Sequence, residues 1–239
     1  MFAQLLLHAA KRVRAPYCPL NATKGIPASQ PLAMQPSGAS EWIIVDNFSM
    51  ERQCHTRWCW TAVAEAVARC YIPSKNLTQR DIAKLLMPRA KFEEPCYRID
   101  DCDLEYDNCL DYNTPNLLMS ALLLIDCYGK ASPIPDKPAP LQDVQQWIDG
   151  DDRGRRAVCV RILWPDGDAH FVTITGYDRG STLLHVLDPW GPRARNISYY
   201  ELATHYTSVD TRFADETMEG KWVDTLFTAR PVSSKGVRA

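Results

Sequence analysis

The sequence has no apolar run long enough to cross a bilayer. Its longest, residues 117–125 and 2–7, fall well short of the roughly 18–20 residues a spanning helix needs, so no membrane span is expected. It also lacks an excess of positive charge. Lys and Arg number 27 against 29 Asp and Glu, a net charge of -2, which argues against a general nucleic-acid binder. No Cys-x-x-Cys pair occurs, which argues against a zinc knuckle. Internal repeats, heptads and collagen-type periodicity are absent. No basic residue precedes the apolar residues 2–7, and no clean small-x-small site follows them. Signal-peptide secretion is therefore not expected; cytoplasmic residence or export by a non-classical route fits better.

What is present suits a packed domain. The chain has 239 residues, of which 46% are hydrophobic, enough for one ordinary domain or two small ones. Residues 1–40, rich in Pro, Ala, Ser and Gln from 15 onward, read as a leader or linker. Residues 41–232 read as one domain and 233–239 as a tail. Nine cysteines stand at 18, 54, 59, 70, 96, 102, 109, 127 and 159. If one is a working thiol, eight remain that would pair in an oxidising compartment. Reduced, buried thiols are the expectation for most of them.

Periodicity places the elements. Residues 41–48 read as a first strand or extended entry. Trp58 to Tyr71 carries apolar residues at helical spacing and stops before Pro73. A second helix fits 78–87, capped by Thr78. Residues 89–112 have no period and read as an ordered loop. A third helix is expected from a cap at Asn113 or Thr114, with Pro115 in its first turn, through Tyr128 to a stop at Gly129. A fourth, LQDVQQWID, closes at Gly150. Then the pattern turns to strands over 157–164, 170–177 and 182–189, with hairpin turns between them. Ser198 and Glu201 form a capping box for a helix over 199–206, and 221–229 is a late strand. The expected class is α+β: a helical N-terminal half packed against an antiparallel sheet in the C-terminal half.

Three residue types in order carry chemistry. Cys59 stands at the start of an Ala-rich helix, where unpaired N–H groups and positive potential favour a thiolate, the nucleophilic form of cysteine. His170 opens a strand directly after the Asp166-Gly167-Asp168 turn, well placed to aim an imidazole across a groove. Asp188 ends the next strand, and hairpin pairing would set its carboxylate beside His170 to orient and charge the ring. The other histidines sit less well. His8 is in the leader, His185 is mid-strand and His205 is in a short late helix. His55 lies four residues before Cys59 and is a lesser candidate for the base.

Gln53 six residues before Cys59-Trp60, His170 opening a strand, and Asp188 two residues before Trp190-Gly191 together resemble the papain-like cysteine peptidases. The run His-Phe-Val-x-Ile-x-Gly-Tyr with Val-Leu-Asp-Pro-Trp-Gly is most similar to bacterial branches, the double-glycine-leader peptidases and the effector peptidases of plant pathogens. The resemblance covers roughly residues 45–210. It implies a papain-like fold and a peptidase with Cys59 as nucleophile, His170 as base, Asp188 as orienting acid and Gln53 as oxyanion donor. Trp60 would follow the nucleophile and Trp190 would shield the His–acid contact. It implies a polypeptide substrate and no cofactor. The stretch between Gln53 and Cys59 departs from the family in lacking glycine, and Trp58 would stand as a wall narrowing the groove.

Two further possibilities use the same residues. A transglutaminase-like acyl transferase shares the Cys-His-Asp order, and a peptide-binding module can keep the fold without the chemistry. A metal site is the third class considered. Asp101, Asp103, Glu105 and Asp107 alternate as in a calcium loop, but the required Gly and the twelfth-position Glu are missing. No metal is expected. Neither a substrate sequence nor an oligomeric state follows from these motifs.

Overall fold

In the computed structural model, residues 40–55, 57–86, 116–209 and 217–232 are described. The leader up to residue 39, the Cys-bearing loop 89–112, the helix start at 113–115 and the tail 233–239 lie outside them. Strand β1 (Trp42–Ile44) comes first. Helices α1 (Cys59–Tyr71), α2 (Gln79–Leu86) and α3 (Leu117–Leu124) follow, then β2 (Tyr128–Ala131) and α4 (Leu141–Asp149). After them come β3 (Val158–Leu163), β4 (Ala169–Asp178), β5 (Leu183–Asp188), β6 (Gly191–Ser198), α5 (Tyr199–Thr204), β7 (Tyr206–Val209) and β8 (Thr217–Thr228).

The class is α+β, but the halves are not cleanly split. β1 precedes the helices, β2 lies between α3 and α4, and α5 lies among the strands. The sheet runs β2-β8-β3-β4-β5-β6, with β1 on β4 and β7 on β8. Every pairing is antiparallel. β2, β6 and β7 carry no strand signal of their own. Tyr128–Ala131 is short and mostly exposed, and such strands are defined by their partners rather than by alternation.

Helix α1 forms where expected because Ala62, Val63, Ala64, Ala66 and Val67 let a nearly all-buried helix pack on every side. One face meets α2 and α3 through Ile82, Leu118, Ala121 and Leu122; the same apolar cluster takes in Phe171 and Leu187 of the sheet. The other face of the sheet carries a second cluster, with Val160, Ile162, Val172, Ile174, Leu184 and Val186 at its centre. The period-2 alternation of β4 thus divides its side chains between two cores.

The third helix does not run to Gly129. It stops at Leu124, and Asp126 takes the left-handed conformation with φ 60. The Asp126 N–H then bonds to Leu123 O at 3.1 Å and the Cys127 N–H to Leu122 O at 2.8 Å. That is the Schellman closure usually built on glycine, here made by an aspartate. Gly129 serves a different need. A Cβ there would lie 2.8 Å from the Phe227 carbonyl and 2.9 Å from the Trp147 ring, so its absence lets β2 sit against β8. The short late helix also ends early, at Thr204 rather than 206, though its Ser198 cap accepts the Glu201 N–H at 3.1 Å as expected.

Candidate active site

Cys59 is the first residue of α1, following Trp58 at the N-cap position. Trp58 offers no side-chain cap. Its carbonyl accepts the backbone N–H groups of Thr61 and Ala62 at 3.0 and 3.1 Å, and the Thr61 hydroxyl at 2.8 Å. The helix therefore starts abruptly at the cysteine, with its first N–H groups unused by the helical ladder. Trp58 and Trp60 are both buried, at 3% and 0% exposure. Trp58 packs edge-on against the His55 ring, centroids 4.3 Å apart.

His170 enters from the sheet. The turn before it is closed by Trp164 N–H to Asp168 O at 2.8 Å and Gly167 N–H to Trp164 O at 3.1 Å. β4 then begins at Ala169, with His170 opposite Ile162 of β3. The imidazole lies against Trp190 with centroids 4.4 Å apart and planes 26° from parallel; Trp164 stands 6.1 Å away. Trp164 reaches that place because Gly220 has no side chain. A Cβ there would lie 2.4 Å from the Trp164 ring.

The His170 ring is held by Asp188. Nε2 lies 2.7 Å from Asp188 Oδ1, and since a carboxylate only accepts, Nε2 carries the proton. The Cys59 side chain also favours the charged ring. Burial disfavours the charged imidazolium. The Asp188 carboxylate, its hydrogen bond and the Cys59 sulfur together overcome that, and push His170 from its ordinary 6.5 up to about 10. Cys59 and His170 are each only 1% exposed. A reagent or substrate therefore reaches the sulfur only as neighbouring side chains yield.

Asp188 is held more completely than its sequence context suggests. Besides His170, Oδ1 accepts the Trp190 N–H at 2.8 Å. Oδ2 accepts the hydroxyls of Tyr206, at 2.7 Å, and Ser208. Burial would raise this carboxyl, but His170 and these hydroxyl bonds hold it below its usual 3.8. Tyr206 and Ser208 come from β7, which shows no strand signal of its own in the sequence, so nothing there pointed to them.

Gln53 is buried at 1% exposure. Its side-chain N–H donates to the His55 carbonyl at 2.7 Å, and its backbone N–H donates to Pro189 O at 2.9 Å. The segment ahead of Cys59 is thus tied to the Asp188-Pro189-Trp190 turn. On the rim, Arg57 and Asp168 lie 3.6 Å apart, joining the residues just before Cys59 to those just before His170. All seven residues singled out from the sequence lie on these few segments.

His8 lies outside the described residues, and His185 and His205 are occupied elsewhere. His185 Nδ1 lies 2.7 Å from the Thr175 hydroxyl, and His205 Nδ1 lies 2.9 Å from Glu219. Cys59, Cys70, Cys127 and Cys159 are free thiols, whereas Cys54 is in a disulfide. Burial pushes Cys127 and Cys159 up to about 12 and raises Cys70. Cys127 and Cys159 are fully buried packing residues, and Cys70 is half-buried. The acidic residues 101–107 lie outside the described residues. Among the described residues, no group of His, Cys, Asp and Glu is placed to hold a metal ion, and no helix is long and apolar enough to cross a membrane.

No family model matches the chain, and no curated protein matches it.

Proposed function

We propose that the protein is a cysteine peptidase with Cys59, His170 and Asp188 as its triad and Gln53 as an oxyanion donor. The observation that carries this is the His170 ring bonded to the Asp188 carboxylate at 2.7 Å, with Cys59 at the start of α1 favouring the charged ring. Asp188 holds Nε2–H, so Nδ1 is the nitrogen that takes the Cys59 proton. The thiolate then attacks a peptide carbonyl carbon and a C–S bond forms. The oxyanion is met by the Gln53 amide and the Cys59 backbone N–H, donors of the kind whose single loss costs about 2.7–4 kcal/mol of transition-state stabilisation. As the tetrahedral species collapses, the C–N bond breaks and His170 Nδ1–H protonates the leaving amine. Water gives a proton to Nδ1, attacks the thioester and releases the acid and the thiol. Trp190 and Trp164 cover the ring and keep the His–Asp contact dry, where its electrostatics are stronger than in water. Trp58 and Trp60 hold the start of α1 in place.

The test is digestion of fluorescein-labelled casein, with and without added glycine ethyl ester, by the wild type and by Cys59→Ala. New carboxyl termini made only by the wild type support the peptidase. Products ending in the added amine would establish acyl transfer instead. Intact casein bound equally by wild type and variant would mark a binding module.

A further inference from the structure

Gln79 is the first residue of α2, a position that ordinarily faces water. Here it is buried, at 3% exposure. The helix does not need its amide. The N-terminus of α2 is already closed by Thr78 and Asp81, through Thr78 N–H and hydroxyl to the Asp81 carboxylate at 3.0 and 2.7 Å, and Asp81 N–H to the Thr78 hydroxyl at 3.2 Å.

The Gln79 amide is spent on the segment around Gln53. Its Nε2 donates to the Arg52 carbonyl at 2.8 Å, and its Oε1 accepts the Cys54 N–H at 2.9 Å. Those two groups belong to the peptide planes on either side of the Gln53 Cα. One side chain therefore grips both planes, as the partner strand in a ladder would. The first plane is also held from the far side, by the bond from Gln53 N–H to Pro189 O at 2.9 Å. With both planes fixed, the direction of the Gln53 Cα–Cβ bond, from which the amide projects, is fixed. Gln79 is itself backed by α1: the Thr61 hydroxyl lies 3.4 Å from Oε1. The chain of contacts runs from the helix that bears Cys59, through Gln79, to Gln53.

We infer that Gln79 is a positioning residue for the oxyanion donor, aiming Gln53 by clamping the peptide groups on both sides of it. This rests on the peptidase reading of Gln53.

Two reagents separate the effects. Acylation of Cys59 by p-nitrophenyl acetate passes through an oxyanion; alkylation by iodoacetamide, at a saturated carbon, does not. Both rates are measured at Cys59 against a Cys59→Ala background, for Gln79→Leu and Gln79→Met, Gln53→Ala and the Gln53→Ala/Gln79→Leu double variant. Two replacements are used because either one alone can fail to fold.

The expected result is a roughly tenfold fall in acylation for the Gln79 variants, smaller than the loss from removing a donor outright, with alkylation unchanged. The double variant should be no slower than Gln53→Ala, since Gln79 acts through Gln53. The inference is overturned if acylation stays at the wild-type rate in the Gln79 variants while Gln53→Ala is slow. Equal falls in acylation and alkylation would also overturn it, as would losses that multiply in the double variant. Gln53→Ala at the wild-type acylation rate would instead remove the oxyanion role of Gln53, and this inference with it. Failure of both Gln79 variants to fold would assign Gln79 to stability and overturn the positioning role.

Discussion

Tyr206 donates its hydroxyl, at 2.7 Å, to the same Asp188 carboxylate whose other oxygen holds the His170 ring. With Ser208 and the Trp190 N–H, four donors surround one buried acid. A carboxylate so enclosed can neither rotate nor readily take up a proton, so the imidazole it holds keeps its orientation.

The first expectation concerns that enclosure. Tyr206→Phe and Ser208→Ala each leave a buried carboxylate one donor short, and bonds to charged groups contribute about 1.5–3 kcal/mol. Each variant should lose about that much stability in urea denaturation, and its Cys59 should alkylate more slowly. Variants with wild-type stability and wild-type alkylation would show that the two hydroxyls do not support Asp188.

A second expectation follows from pH. His170 is raised in the folded state from 6.5 to about 10. Its contribution to stability is therefore fully present below about pH 6.5 and is lost as pH rises through about 10. Asp188 is lowered from 3.8, so its share is present above that value and is lost as pH falls. The stability difference between wild type and His170→Gln should shrink from pH 6.5 to 10 in thermal unfolding. A difference that grew over that range would contradict the His170–Asp188 pair.

A third expectation concerns the cap of α2. Thr78→Ala removes the hydroxyl that both accepts the Asp81 N–H and donates to its carboxylate, at a cost of about 1 kcal/mol. The same hydroxyl is the main cause holding Asp81 below 3.8. The penalty should therefore be full at neutral pH and diminish as Asp81 protonates on acidification. Urea titrations at neutral and acid pH measure it. A penalty that does not change with pH would detach Asp81 from the cap.

The legible parts of this protein are those written in local signals. Cys59, His170 and Asp188 each stand at the border of an element marked by its own residues: an Ala-rich helix, an Asp-Gly-Asp turn and an Asp-Pro-Trp turn. Their order is readable without their distances. The supports are not readable in this way. Tyr206, Ser208 and Gln79 act through pairing or docking between distant segments, and none stands in a motif. β7 is four residues long and is recruited by β8, so no period announces it. The end of α3 departs from the glycine signal for a local reason: Asp126 adopts a left-handed conformation in which glycine is the usual residue.

The central claim is that the Cys59 sulfur is activated by His170, and iodoacetamide tests it most directly. Native protein is treated at neutral pH and the modified cysteines are followed by mass spectrometry, in the wild type and in His170→Ala. Cys59 should be modified ahead of Cys70, Cys127 and Cys159, whose thiols burial holds in the protonated form, and that lead should disappear in His170→Ala. Cys59 modified no faster than the other three, or at the same rate without His170, would contradict the account.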